Sequence, residues 1–296
     1  MGGAANSSQA LAILFSLLTA LANALALVSQ HIASTRKREG TSNWSFVVFL
    51  FRQPLWLAGW LGLLCSLVFQ ALALHFGPIS EVQPLIVSEI VIMLLLRRVA
   101  LRQRIATSAW CGAIITVVGL VVFIVVSSPH GRANVSTPSR WLAPVLVCAV
   151  AVAIFVSLAL RGSPARRAGL LGAATGVTWA LEATFFKSAT DVVARSGFAS
   201  SLVHWPLYAI IGGGIVGLFC EQAALHVGPL RVSQPFIVIV DPIVSVLLGL
   251  WLYSEKLHGG ALSITVALLG FIAMCAGVAV LTQSAPPTMR AELPLP

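Results

Sequence analysis

The sequence predicts an all-α polytopic membrane protein, with about nine transmembrane helices in two inverted-topology repeats. Three observations carry this prediction: composition, a series of apolar stretches of membrane-spanning length, and an internal repeat. The 296 residues are 58% hydrophobic and only 9% charged, and the mean hydropathy is +0.96. A soluble domain carries about 25% charged residues. A chain this apolar could not cover its own surface in water.

A hydrocarbon core about 30 Å thick needs about 20 apolar residues per helix. Nine stretches meet that length approximately: 10–34, 53–76, 79–96, 106–127, 141–160, 168–190, 205–227, 230–252 and 260–282. Residues 44–51 are also apolar and leave ten spans as the alternative count. Gly77-Pro78 separates the second and third spans and Gly228-Pro229 the seventh and eighth. Proline lacks a backbone donor and glycine tolerates unusual torsions, so both dipeptides predict tight turns and candidate hinges.

The net charge is +9, from 18 Lys and Arg against 9 Asp and Glu. These cations gather in short connections, at Arg36-Lys37-Arg38, Arg97 to Arg104 and Arg161 to Arg167. With nine spans and the N-terminus outside, 13 basic residues fall on the inner side and 5 on the outer. That is the positive-inside bias, so we expect a multi-pass protein of the plasma (inner) membrane with a cytoplasmic C-terminus. The first apolar run lacks a basic segment before it and is followed by Arg36-Lys37-Arg38, which reads as a signal anchor rather than a cleaved signal. Clustered in this way, the charge does not predict nucleic-acid binding, which needs a continuous basic face on a soluble fold. The expected surroundings are lipid, a small-molecule or cation substrate, and at most a second copy in a homodimer.

Cys65, Cys111, Cys148, Cys220 and Cys275 all lie in apolar runs, and no two form C-x-x-C. They read as small buried hydrophobes rather than a zinc site or disulfide framework. No metal site and no cofactor are assigned. Gly212 to Gly217 matches G-x-G-x-x-G, but no strand precedes it, so the dinucleotide reading fails. Small residues four apart, Gly213/Gly217 and Gly172/Gly176, predict close helix packing instead. No nucleophile–base constellation or phosphate loop is found, and the chain is not expected to be an enzyme.

The repeat appears at an offset of 151 residues. ALHFGPISEVQPLIV (73–87) then falls on ALHVGPLRVSQPFIV (224–238), with nine of fifteen positions identical. The same offset places Arg36 on Lys187 and Gly119 on Gly270. Four spans form the first repeat and one linker span follows, so the second repeat starts from the opposite side of the membrane. The expected organisation is a first repeat at 1–128, a linker with one span at 129–165, an inverted repeat at 166–284 and a disordered Pro-rich tail at 285–296. Inverted repeats are the architecture of secondary transporters, with the substrate site near the midplane where the repeats meet.

Ionisable groups in hydrocarbon are costly and therefore functional candidates. Asp241 and Glu89 fall at or near the centres of their spans, and Glu182 and Glu221 lie farther off centre. An excess of carboxylates suits a cation, a proton or an amine. Polar stripes at helical spacing could line a cavity or simply join helices: Ser16, Asn23 and Gln30; Thr175, Thr178 and Glu182; Gln234 and Asp241; Gln222 and His226. Gln83-Pro84 and Gln234-Pro235 open the helices after the turns, where proline frees carbonyls that can bind cations. Asp241-Pro242 predicts a further break in mid-membrane. His75 and His226 end their helices, where the dipole favours a cation, and are also proton-relay candidates. Lys187 and Arg36 are expected to snorkel to the interface, and Glu255-Lys256 to be an exposed loop pair of little weight.

The residues Arg52-Gln53-Pro54-Leu55-Trp56, Gly59 and ALHFGPISEVQPL resemble the NIPA-type magnesium transporter branch of the drug/metabolite transporter superfamily. The second half, through Gly176-Val177-Thr178-Trp179-Ala180-Leu181-Glu182, Gly228-Pro229-Leu230, Asp241-Pro242-Ile243-Val244-Ser245 and Glu255-Lys256-Leu257, resembles the wider EamA-like group. The resemblance covers about residues 10–282 and implies two inverted halves around a central cavity. Where the superfamily often carries a Glu in the first half, this chain has Arg102-Gln103-Arg104. The expected activity is transport of a small, cationic metabolite or ion by alternating access. The alternatives are a divalent-cation (magnesium) channel or uniporter, and a non-transporting sensor or assembly subunit.

Overall fold

The computed structural model describes residues 2–34, 53–99, 102, 104–127, 138–228, 230–255 and 260–284. Eleven helices account for nearly all of them: α1 Gly2–Ser34, α2 Pro54–Phe76, α3 Ile79–Ile86, α4 Ser88–Val99, α5 Thr107–Ser127, α6 Pro138–Ala159, α7 Pro164–Ser196, α8 Phe198–Ser201, α9 Trp205–Val227, α10 Leu230–Leu252 and α11 Ala261–Gln283. Helix is the form expected in lipid, because it satisfies every backbone polar group within the segment. Among the described residues, eight spans are long and apolar enough to cross a membrane, α3 and α4 together making one of them. The predicted tenth span at 44–51 and the tail at 285–296 lie outside the described residues.

The remaining predicted span, the sixth (168–190), lies within α7, a 33-residue helix that is too polar to join those eight. Its surroundings explain why it tolerates polarity. Residues 171–178 are all buried by protein, and α6, α9 and α10 pack along it. A helix shielded from lipid on all sides does not need an apolar surface. α6, the linker span, covers one flank of α7, and the peripheral helices expose Leu, Ile and Val to the surroundings.

The two halves repeat each other in packing as well as in sequence. α1 lies along α2, and its counterpart α7 lies along α9. α1 also touches α3 and α4, as α7 touches α10. The counterparts α5 and α11 pack directly on each other. Gly119 faces Gly270 and Gly112 faces Gly277, so seven residues forward on one helix are seven back on the other. Equivalent helices that run antiparallel make the repeat an inverted one. Gly119 and Gly270 are themselves equivalent positions, and two equivalent positions in contact lie on the pseudo-two-fold axis. A Cβ on Gly119 would stand 2.5 Å from the Gly270 carbonyl oxygen, so the crossing admits no side chain there.

The Gly-Pro turns correct an expectation about mechanism. Neither glycine uses a torsion reserved for glycine: Gly77 has φ −133° and Gly228 φ −160°, both extended. They are needed for space. A Cβ on Gly77 would come within 2.5 Å of the Ala12 methyl, and one on Gly228 within 2.7 Å of the Ala168 methyl. Each turn is thus seated against the start of its own half's first helix. Pro78 is the N-cap residue of α3; Pro229 lies outside the described residues.

The break in mid-membrane also falls elsewhere than predicted. α10 runs unbroken through Pro235 and Pro242. The third span is interrupted instead, between Ile86 and Ser88. Pro84 removes the donor that would have met the Ser80 carbonyl, and Val87 then donates to the Pro84 carbonyl in a tighter turn (3.2 Å).

Candidate functional site

Two of the predicted acids, Glu89 and Glu182, come within electrostatic reach of a third, Asp241, where the halves face each other. Glu89 follows the interruption on α4 and accepts a 2.9 Å hydrogen bond from the Asn23 amide on α1. Asp241, at the centre of α10, accepts from the Ser245 hydroxyl at 3.0 Å. Glu89 and Asp241 lie within electrostatic reach of each other, as do Glu182 on α7 and Asp241. At the repeat offset Glu89 corresponds to Val240, so Glu89 and Asp241 sit one residue from equivalent positions. The inverted fold therefore brings one carboxylate from each half toward the pseudo-two-fold axis.

Glu182 adds a third, less restrained group. Its Oε2 atom is buried and has no hydrogen-bond partner. Its Oε1 points at α9, where a Cβ on Gly214 would lie 3.3 Å away. Gly176, one of the predicted small residues, lets α10 approach α7 beside this site: its Cβ would stand 3.0 Å from the Asp241 backbone nitrogen. Gly172 does the same one turn earlier, against the Ser233 carbonyl (2.6 Å). Gly217 fits close against Trp179, whereas Gly213 has ordinary room.

The remaining predicted residues fall into different places. Glu221 is half-buried on α9 with the Trp179 indole as its polar partner. Thr178 spends its hydroxyl on the Ala174 carbonyl (2.9 Å), and Thr175 and Ser16 likewise bond to their own helices. The hydroxyls of these stripes therefore neither line a cavity nor join helices, and among these polar residues the inter-helix hydrogen bond is that of Asn23 to Glu89. Gln83 is buried on α3 and its Nε2 has no partner. Gln234 is half-buried on α10, about two turns toward the helix start from Asp241. Gln30 lies on α1, but its side chain is outside what is described. His75 and His226 occupy the last turns of α2 and α9 and are exposed. His75 is within electrostatic reach of Asp191. All five cysteines are free; Cys148 and Cys220 are buried, whereas Cys65 and Cys111 face outward from the bundle. Among the described residues no group of three His, Cys, Asp or Glu is arranged to hold a metal ion.

Two residues expected at the periphery are buried between the halves instead. Lys187, only 4% exposed, does not snorkel: its Nζ donates to the carbonyls of Leu74 (2.9 Å) and Gly77 (2.7 Å). Glu255, also 4% exposed, is no loop charge: its carboxylate accepts from the backbone N–H of Ile79 (2.7 Å) and Ser80 (3.0 Å). Lys256 lies outside the described residues. Glu81, within the repeated segment itself, is fully buried near Glu255, and its amide partner Gln9 stands at 3.4 Å. All three gather around the Gly77-Pro78 turn in space, although only Glu81 lies near it in the sequence.

No known family profile matches the chain, and no solved structure does. An uncharacterized protein of Corynebacterium glutamicum is 29% identical over 259 residues, which span 84% of this chain and 86% of that one. A likeness of that extent reaches into both halves of the fold.

Proposed function

We propose that the chain is a secondary transporter of the drug/metabolite type that moves a small cationic metabolite or ion by alternating access between its two inverted halves. The observation that carries this reading is the placement of Glu89, Asp241 and Glu182 in the middle parts of their spans, within electrostatic reach of one another through Asp241, where the halves meet around a pseudo-two-fold axis. Carboxylates held there without a matching cation cost several kcal/mol unless a proton or cationic ligand neutralises them. Asn23 and Ser245 fix two of the three, and the unpartnered oxygen of Glu182 is the natural first contact for an incoming cation. Rocking one half against the other would expose this set to each side in turn.

The experiment is flux into proteoliposomes carrying a pH-sensitive dye, with magnesium, amines, amino acids and cationic drugs as trial substrates. The expected result is a substrate-dependent pH change that disappears in Glu182→Gln/Asp241→Asn while the protein stays monodisperse. Full flux in that double variant removes the acids from the mechanism. Saturable exchange separates this reading from the cation channel, which would conduct without it.

A further inference from the structure

We infer that Lys187 and Glu255 form a latch that closes one end of the pathway, and that this chain can latch only that end tightly; the inference rests on the transporter reading above.

The latch joins the halves at the Gly77-Pro78 turn. The end of α2 presents carbonyls with no partner in their own helix, and the start of α3 presents N–H groups in the same condition. Lys187 of the second half places its ammonium on the carbonyls of Leu74 and Gly77. Glu255 of the second half places its carboxylate on the N–H groups of Ile79 and Ser80. Each charge meets the helix end whose dipole favours it. The two side chains are also within electrostatic reach of each other. The turn is thus gripped on both sides by opposite charges from the other half.

The local backbone is shaped for this grip. After α10 the chain doubles back through Ser254, which adopts φ +51°, a left-handed torsion that costs a non-glycine residue free energy. The reversal lets the Glu255 N–H bond to the Gly249 carbonyl (3.2 Å) and turns its carboxylate beneath the end of α10. An apolar seal lies around the latch: Leu74, Ile79 and Val82 of the first half pack with Phe185, Leu252 and Tyr253 of the second, under Trp141. Toward the other end the contacts change, and α4 packs chiefly on α1 of its own half.

The repeat then shows why the opposite end differs. At the offset of 151, Gly77 corresponds to Gly228, Lys187 to Arg36 and Glu255 to Arg104. Arg36 lies outside the described residues, so the comparison turns on Glu255 and Arg104. An arginine in place of Glu255 cannot accept from the N–H groups at the start of α10, and its charge is unfavourable at a helix N-terminus. Arg104 is in fact exposed. One end therefore has a two-sided latch and the other at most half of one, which biases the resting protein toward closure at the Gly77 end.

The test is side-specific labelling in oriented proteoliposomes. Gly214→Cys, beside Glu182, is placed in a background with the five native cysteines replaced by Ala and probed with a membrane-impermeant maleimide. The expected result is labelling from the Gly228 side only, with labelling from the Gly77 side rising about tenfold in Glu255→Gln, as for loss of a charge-assisted hydrogen-bond pair. Lys187→Met should act alike and Lys187→Arg should restore closure. Hydrogen exchange of the Leu74–Val82 amides in the native-cysteine chain reads the same opening if the substituted background fails to fold. Unchanged labelling and exchange in folded Glu255→Gln and Lys187→Met would overturn the latch. Flux with an unmoved latch readout sinks this inference alone, and a moving latch without flux for any substrate sinks the transport reading.

Discussion

Asn23 and Glu89 show what a single residue contributes here. An amide donating to a buried carboxylate is worth about 1.5–3 kcal/mol, and the bond spans two helices of one half. Asn23→Leu is expected to lower the melting temperature of the purified protein and to reduce flux, while Asn23→Gln should retain part of both. An unchanged melting temperature in Asn23→Leu would show that the amide does not support Glu89. At this scale the sequence was partly legible. The acids of the site could be read because a carboxylate in an apolar run is too costly to keep unless it serves a purpose. Lys187 and Glu255 could not, because charges at helix ends usually face water or lipid headgroups. Their true partners are backbone groups more than a hundred residues away, and no local pattern marks a backbone acceptor. Thr178 misled in the other direction: its face was read correctly, but its hydroxyl was already taken by its own helix.

Helix crossings set the next level, and glycine decides where they occur. Gly119→Val would force a side chain into the α5–α11 crossing, where the Gly270 carbonyl allows none. Overpacking of this kind costs about 1–3 kcal/mol. The expected outcome is a clear fall in thermal stability in detergent. Gly212→Ala is the control, since a Cβ there meets nothing within 4 Å; it should leave stability unchanged or raise it by up to about 1 kcal/mol. Equal losses in both would contradict the crossing described. The spans themselves were legible because a run of 20 apolar residues has one main use. The interruption was not. Both Pro84 and Pro242 remove a donor, yet only the span with Pro84 breaks and α10 continues. α10 is braced by α7 through the Gly172 and Gly176 contacts, whereas α3 and α4 separately engage α10 and α1. Helix propensity alone does not hold that difference.

For the whole molecule, inversion was readable from fifteen residues and a count of spans. The structure adds that equivalent helices α5 and α11 meet antiparallel on the axis and that the acids gather near it. Orientation in the membrane rests on the distribution of basic residues. A reporter fused after residue 284 is expected to be active only if its enzyme works in the cytoplasm; activity of a periplasmic reporter there would reverse the assigned sides. The proposed imbalance between the two ends rests on one difference between the repeats, Glu255 in one half where the other carries Arg104. The central claim is that cation or proton movement depends on carboxylates shared between two inverted halves. Its most direct measurement is substrate-driven pH change in proteoliposomes of the wild type and of Glu182→Gln/Asp241→Asn. The account predicts a saturable signal in the first and none in the second at equal amounts of folded protein, and an equal signal in both would contradict it.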